Sequence, residues 1–361
     1  MIDCLMYFGI FALVFIVNYL AMKQNRASAR RVLIVLGFLI LLCFIGFRYN
    51  VGTDYPYYLN SYNQIADLSW DKLSSLRMEL LVAVIFKVCS SVLVDARLVF
   101  VVLGFLMLYP IYKVNRLYNY KYLAYSILAY CVLFLPFGLN GMRQGIAMSF
   151  MLLSIAYLVK GKIKNSLVNF VIAVLFHTSS MIMLPYMIII YIRKWKKINF
   201  TILNLVVTGL IAIVVLFFLN NLLVDSGITQ YSYMLGNIDT DKISLSSIVV
   251  YVPVVLMALF LGKNEERNGE TLVYKNLTIS GICFYVVGTA AQYLSRFGLF
   301  FMMPSIILLP KLVQEIPDKN ARIIVKISFI VYLAIFFYVQ YSLLGKHEIL
   351  PYQTWVFEGV V

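Results

Sequence analysis

The sequence predicts an all-α, polytopic integral membrane protein, and three observations lead to that prediction. The 361-residue chain is 62% hydrophobic and 13% charged, with a mean hydropathy of +0.89, far outside the composition of soluble globular proteins. Apolar runs of about 20 residues, long enough to cross the hydrocarbon core as helices, recur between short polar loops. Alternating segments of about ten residues, the pattern of a membrane β-barrel, are absent.

Basic residues set the predicted orientation of the chain. The formal net charge is +14, and most of the 30 lysine and arginine residues fall in short clusters between the apolar runs. The positive-inside rule places these clusters in the cytoplasm and gives about ten full crossings. With half-length segments included, we expect about 10–13 transmembrane or half-length helices in a single domain over residues 1–361. Nucleic acid is not an expected partner, because no soluble segment is long enough to form a basic binding surface.

Two apolar segments do not fit as single crossings. The segment 79–95 contains Lys87 and must begin and end outside, so we interpret it as a re-entrant or interfacial helix that follows a short outer loop, 48–78. The segment 165–192 is too long for one comfortable span and too short for two, which predicts a broken helical hairpin turning near His177. Because non-helical backbone at membrane depth must be buried in protein or line a water-filled cavity, we expect a polar cavity open to the outer face.

Three arginines at helix ends on the predicted outer side are candidates for binding a diphosphate. Arg48, Arg143 and Arg296 each adjoin an apolar run. A guanidinium offers bidentate donors that match phosphate oxygens and stays charged when partly desolvated. The alternative is that each arginine extends to lipid headgroups without binding a substrate.

An aromatic segment with one acid follows the second apolar run. The sequence FRYNVGTDYPYY offers tyrosine rings on which sugars stack, and Asp54 as an acceptor for sugar hydroxyls. The candidate glycan-binding residues here are Tyr55, Tyr57 and Tyr58. The alternative is an interfacial aromatic belt with a solvated acid.

A second polar turn, FGLNGMRQG, leads directly into an apolar helix. Its first turn carries Arg143 and Gln144, and a helix N-terminus presents free amides and a positive dipole end to an anion. We therefore expect the strongest anion site of the chain here, with Gln144 as a candidate for binding the glycan. An ordinary outer loop with a glycine turn is the alternative.

Three residues are candidates for acid–base chemistry, namely His177, Asp54 and Glu79. His177 lies at the predicted hairpin turn, where an imidazole could accept a proton from a sugar hydroxyl, although a lone histidine is more often structural. Glu79 opens the re-entrant helix and could instead stabilise the helix dipole. The residues alone do not choose the base. Metal and cofactor motifs are missing, so we expect neither a metal nor a cofactor.

The order of these motifs resembles the EpsG family of bacterial, Wzy-like polysaccharide polymerases. The similarity covers Phe47 to Pro304 and consists of GTDY, the glutamate that opens the next helix, MRQGIA, FH followed by small residues, and SRF. It implies a membrane glycosyltransferase that moves a glycan from undecaprenyl diphosphate onto a lipid-linked repeat unit at the outer face of the bacterial inner membrane. By this resemblance Arg143 would hold the diphosphate, while His177 and Asp54 would match the family's histidine and acid.

The resemblance also implies partners and leaves rival functions. The implied partners are an undecaprenyl-diphosphate-linked oligosaccharide, the lipid bilayer and, as a candidate, a regulator of chain length for an O-antigen or a capsule. The rivals are a lipid-linked oligosaccharide flippase, an O-antigen ligase and a membrane O-acyltransferase. A flippase would usually carry cationic residues in the centre of two pseudo-symmetric halves, whereas an acyltransferase would not need a set of arginines.

Overall fold

The computed structural model describes residues 3–76, 78–193, 200–214, 249–261, 269–288 and 292–357, and its regular elements are helical. One isolated bridge, between Arg48 and Thr354, is the exception within those ranges. The α-helices, numbered in chain order through the described residues, are α1 Asp3–Lys23, α2 Ala27–Gly46, α3 Tyr55–Asp67, α4 Leu80–Val92, α5 Val99–Leu117, α6 Leu123–Leu133, α7 Leu135–Asn140, α8 Met142–Val159, α9 Ile163–Phe176, α10 Leu184–Ile192, α11 Phe200–Val214, α12 Val252–Phe260, α13 Gly269–Val287, α14 Gln292–Met302, α15 Ser305–Gln314 and α16 Lys319–Phe337.

The all-helical, polytopic fold predicted from composition is confirmed. Among the described residues, 5 helices are long and apolar enough to span a bilayer, or 6 if the α14–α15 pair, bent by 44°, forms one broken span. The ten full crossings expected are not all tested by this number, because several apolar runs fold as shorter pieces and parts of others lie outside the described residues. The apolar run from Tyr122 to Phe137, for example, is divided at Phe134 into α6 and α7.

The two segments that do not fit as single crossings contain short helices. The 13-residue helix α4 begins immediately after Glu79. The chain also breaks at His177, which lies between α9 and a short 3-10 turn, Thr178–Met183, that leads into α10. Their re-entrant and hairpin arrangement in a membrane stays a prediction.

The segment 48–78, predicted as a short outer loop, contains the helix α3. Tyr55, Tyr58, Tyr62 and Ile65 are buried, and their spacing of three and four residues places them on one face. Pro56 lies in the first turn, where its fixed φ angle suits a helix. The two interpretations of these tyrosines, as sugar-stacking rings or as an interfacial aromatic belt, did not include this amphipathic spacing.

The chain divides into two compact units. The first contains Met1–Ser154, Leu167–Thr178 and Lys319–Val361, and the second contains Ile155–Ser166 and Ser179–Asp318. The assignment of residues 1–361 to a single transmembrane domain stays a prediction.

The C-terminal segment around Ile349 and Tyr352 packs against α1 and α2 in the first unit. The ring of Tyr352 stacks on Phe44 with 4.4 Å between centroids, and its hydroxyl donates to the Phe44 carbonyl at 2.7 Å. The Tyr7 hydroxyl donates to the carbonyl of Ile349 at 2.7 Å. The C-terminal segment is thereby fixed against the end of α2 from which the GTDY segment continues.

Candidate functional site

A single carboxylate joins an arginine and a histidine in the first unit. Oε2 of Glu79 forms a salt bridge with Nη1 of Arg143, and Oε1 lies 2.9 Å from Nδ1 of His177. The three side chains are 16%, 24% and 26% exposed, respectively. Glu79 precedes α4, Arg143 lies in the first turn of α8, and His177 follows the last residue of α9, so three helix ends meet at this cluster.

The start of α8 is held close to α7 by small residues. A Cβ atom added to Gly145 would lie 3.0 Å from the Cα of Gly138 and 3.0 Å from the sulfur of Met107, so a larger residue here would push the two segments apart. The close approach fixes the direction in which α8 begins. Arg143 is thereby placed at a helix N-terminus, as the sequence predicted.

Tyr58 and Tyr57 contact Arg143 in different ways. The buried Tyr58 hydroxyl accepts a hydrogen bond from the backbone N–H of Arg143 at 3.3 Å, so it uses one of the free amides of the helix N-terminus. The ring centroid of Tyr57 lies 5.9 Å from the guanidinium carbon, and the Tyr57 side chain is 48% exposed. Tyr57 therefore presents an accessible aromatic face beside the cationic group.

The environment of Glu79 keeps this carboxyl charged at neutral pH. Burial by itself would raise the Glu79 pKa, but the hydrogen bond with His177 and the positive charge of Arg143 together bring the pKa below its usual value. An ionised carboxylate accepts hydrogen bonds only, so the His177 nitrogen that faces Glu79 carries the proton. In the neutral imidazole the other nitrogen, Nε2, is then the acceptor.

Asp54 is fixed to the turn that precedes α8. The Oδ1 atom of Asn140 accepts hydrogen bonds from the Asp54 backbone N–H and from the Thr53 hydroxyl, each at 2.8 Å. The half-buried Asp54 is therefore brought next to the last residue of α7, three positions before Arg143. Asn140 was not among the predicted site residues; its place in a glycine-flanked turn immediately before MRQ was the signal that could have identified it.

Arg48 has an environment that disfavours its predicted role as a diphosphate ligand. Its side chain is 0% exposed, Nη1 donates to the Ile45 carbonyl at 2.8 Å, and Nη2 donates to the Leu139 carbonyl at 3.1 Å. The guanidinium also lies 4.5 Å from the ring centroid of Phe100. Burial lowers the Arg48 pKa to about 10, so the group stays charged at neutral pH. These contacts give Arg48 a structural role, as a link between the end of α2 and the α7–α8 turn.

The remaining predicted residues lie in different surroundings. Tyr55 is buried, with its ring stacked on Phe100 at 4.5 Å, and Gln144 is buried as well, so a glycan does not reach either side chain in this conformation. Arg296 lies on α14 in the second unit and is exposed. Its predicted contact with the diphosphate stays a prediction.

A family model matches most of the chain. The model of the EpsG family aligns with residues 31–354, a range that includes every candidate residue named above. Comparison with curated proteins gave no match, and comparison with solved structures gave none either. Since the matched range far exceeds half of the sequence, the chain belongs to the EpsG family, whose members are associated with exopolysaccharide biosynthesis.

Proposed function

We propose that this protein is a polysaccharide polymerase, which transfers a glycan from undecaprenyl diphosphate onto a lipid-linked repeat unit at the outer face of the inner membrane. The observation that supports it most directly is the Glu79 carboxylate, which holds Arg143 and His177 together at the start of α8. A cation for a leaving diphosphate and a base for an acceptor hydroxyl are the two groups that such a transfer needs.

Arg143 is the proposed ligand of the diphosphate. Diphosphate leaves readily once its developing charge is stabilised, so the protein mainly has to supply positive charge in the right place. A guanidinium carries five N–H donors in a fixed plane, so Arg143 can bond to Glu79 through Nη1 and offer other donors to a phosphate oxygen. The N-terminus of α8 adds the positive end of a helix dipole at the same position.

His177 is the proposed general base, and Glu79 is its positioning residue. The acceptor hydroxyl oxygen attacks the anomeric carbon as the bond between that carbon and the diphosphate oxygen breaks. The bonding electron pair leaves with the lipid diphosphate, and the hydroxyl proton moves to Nε2 of His177. Glu79 favours this step because it holds the Nδ1 proton and stabilises the imidazolium that forms, the role that carboxylates have in catalytic triads.

Tyr57 and Asp54 are the proposed contacts with the glycan. Tyr57 is half exposed beside Arg143, so a sugar ring can stack on it while the attached diphosphate reaches the guanidinium. The carboxylate of Asp54 is suited to accept hydrogen bonds from sugar hydroxyls, and Asn140 fixes its backbone near the same turn. Both assignments extend the site from the diphosphate toward the glycan.

The test is complementation of a gene deletion, read out by gel electrophoresis of extracted surface polysaccharide. We expect single-repeat products in the deletion strain and in a strain carrying His177→Ala, and a long ladder when the wild-type gene is restored. His347→Asn is the matched control, because it changes the other histidine of the chain and asparagine tolerates the positive φ of 66° at that position. The control should give the wild-type ladder.

Other patterns on the gel would contradict the proposal. Loss of all surface glycan, single repeats included, would indicate a flippase or a ligase. An unchanged ladder with altered acetylation would indicate an acyltransferase. A full ladder from His177→Ala, with the variant present at normal levels in the membrane, would remove His177 from the mechanism.

A further inference from the structure

A basic cavity lies in the first unit at the end of α2 remote from the Glu79 cluster. It has a volume of about 540 Å³ and is lined by Ala27, Arg30, Arg31, Ile34, Arg116 and Tyr120. The lining contains three guanidiniums and no acidic residue. Arg48, which contacts the α7–α8 turn, follows the opposite end of the 20-residue helix α2, and such a helix is about 30 Å long. The cavity and the Glu79 cluster are therefore on opposite membrane faces if α2 spans the bilayer.

The charges that line this cavity lack an acidic partner in the described part of the chain. Arg30 and Arg31 lie in the first turns of α2, where a cation opposes the positive end of the helix dipole, and Arg26 at the N-cap gives no side-chain cap. In another basic cluster of the chain, by contrast, Lys160 has an acidic partner, because it forms a 3.3 Å salt bridge with Glu270. The positive-inside rule explains basic residues on this face, but it does not require them to converge on one cavity.

The turn after α5 supplies an unusual backbone conformation at the same cavity. Asn119 and Tyr120 both have positive φ angles, 51° and 58°. A tyrosine rarely adopts the left-handed region, so the surrounding structure must enforce it. The turn is closed by hydrogen bonds from the Asn119 N–H to the Arg116 carbonyl at 3.0 Å and from the Tyr120 N–H to the Asn115 carbonyl at 2.9 Å. Tyr120 is thereby placed next to three arginines, where its hydroxyl can donate to an anion.

We propose that this cavity binds a phosphate group, held by Arg30, Arg31 and Arg116 with Tyr120 as an additional donor. Guanidiniums recognise phosphate oxygens in bidentate fashion, and the volume is large enough for a phosphodiester with its substituent. An anionic lipid headgroup fits the surroundings, since the next turns of α2 expose Val32, Val35 and Leu36 where acyl chains would lie. A soluble phosphate compound shares the same chemistry.

The test measures thermal unfolding of the purified, delipidated protein while one anion is titrated. The probes are short-chain phosphatidylglycerol, short-chain phosphatidylcholine and inorganic pyrophosphate. Arg30→Gln combined with Arg116→Gln should raise the phosphatidylglycerol concentration needed for half-maximal stabilisation by at least about tenfold, since charge-assisted hydrogen bonds are lost. Lys162→Gln combined with Lys164→Gln is the matched control, because it removes two exposed charges at the start of α9, outside the cavity, and should respond like the wild type.

Each outcome supports or overturns the phosphate site. Stabilisation by phosphatidylglycerol alone identifies a lipid headgroup, and stabilisation by pyrophosphate identifies a soluble phosphate; both support the site. A double arginine variant that titrates like the wild type, an equal response to phosphatidylcholine, an equal loss in the lysine control, or no stabilisation of the wild type overturns it. Should the double arginine variant fail to fold, Arg31→Gln changes one exposed residue and is expected to weaken phosphatidylglycerol binding in the same direction; an unchanged titration in that variant also overturns the site.

Discussion

Arg48 and Arg143 adjoin the same turn between α7 and α8, yet their surroundings differ completely. Arg48 is fully buried, and its donors point to backbone carbonyls of Ile45, Val51 and Leu139. Arg143 is about a quarter exposed and pairs with a carboxylate that also holds a histidine. The first arginine satisfies the chain's own acceptors, whereas the second lies beside groups that can take part in chemistry.

The difference shows how an intramembrane or interfacial charge should be assessed. An ionisable residue near an apolar helix is by default a candidate for function. The groups that surround it indicate whether its role is structural or functional. Carbonyl acceptors around a buried arginine indicate that its role is to join segments of backbone. An acid, a histidine and an exposed aromatic ring around an arginine indicate a site for a ligand.

The largest effect is expected for Glu79→Gln, which tests whether the surroundings of Arg143 take part in chemistry. Glutamine keeps the shape but can stabilise the wrong histidine tautomer, and it removes the charge that stabilises an imidazolium. We expect turnover in the proposed transfer reaction to fall by on the order of 10²- to 10⁴-fold. Turnover is measured with purified protein in liposomes, and Asp95→Asn is the control, since Asp95 pairs with Arg97 away from the cluster. Wild-type turnover in Glu79→Gln would contradict the role of Glu79.

A large effect on stability, and not on chemistry, is expected for Arg48→Met. The substitution keeps much of the volume but leaves the Ile45 and Leu139 carbonyls without their donor. Unsatisfied buried acceptors cost about 1–3 kcal/mol each, so we expect a loss of about 2–6 kcal/mol in the free energy of unfolding. Thermal unfolding of the purified variant measures this loss. An unchanged midpoint would show that Arg48 does not join these segments.

The pH dependence of stability is expected to reveal the charged state of Glu79. Because the folded-state pKa of Glu79 lies below the ordinary value of 4.5, its contribution to stability is complete above that pH and is lost as the pH falls through the folded-state pKa. The unfolding midpoint of the wild type should therefore drop on acidification below about pH 4.5. In Glu79→Gln this component of the drop should be missing, and identical pH profiles for the two proteins would contradict the pairing.

The smallest effect is expected for Asn140→Ala, which weakens the attachment of the GTDY segment to the α7–α8 turn, between Arg48 and Arg143. The substitution removes the acceptor for the Asp54 N–H and the Thr53 hydroxyl. We expect a loss of about 1–2 kcal/mol in stability, with a larger change in KM than in turnover if Asp54 contacts the glycan. Steady-state kinetics with the lipid-linked repeat unit separates the two. A change confined to turnover would place Asp54 outside glycan binding.

The sequence predicted the helical membrane fold because hydropathy and charge are properties of whole segments. Apolar run length and basic loops suffice to identify a polytopic protein, and they located the breaks near Glu79 and His177. They did not predict where an apolar run would divide, as at Phe134, because division depends on how neighbouring helices pack. The helix α3 was not predicted, because the same tyrosines that form its buried face also fit a sugar-binding segment.

The sequence pointed to the three residues of the Glu79 cluster but not to the contacts between them. Arg143, His177 and Glu79 were each identified by position at a helix end, and the structure brings all three together. The sequence could not show that Glu79 contacts both of the others, since Arg143 lies 64 residues and His177 lies 98 residues after Glu79. Arg48 had the same local signal as Arg143, and its burial followed from contacts with Leu139 and Phe100 that no local pattern encodes.

The most direct test is a side-by-side measurement of turnover per folded molecule for Arg143→Lys and Arg48→Lys, in liposomes supplied with an undecaprenyl-diphosphate-linked repeat unit. Lysine keeps the charge in both variants but loses the planar fork of donors. Our account predicts that Arg143→Lys loses about 10²-fold or more with normal membrane insertion, whereas Arg48→Lys keeps wild-type turnover in the molecules that fold. Full activity of Arg143→Lys, or an equal loss in both variants, would contradict the assignment of the diphosphate site to Arg143.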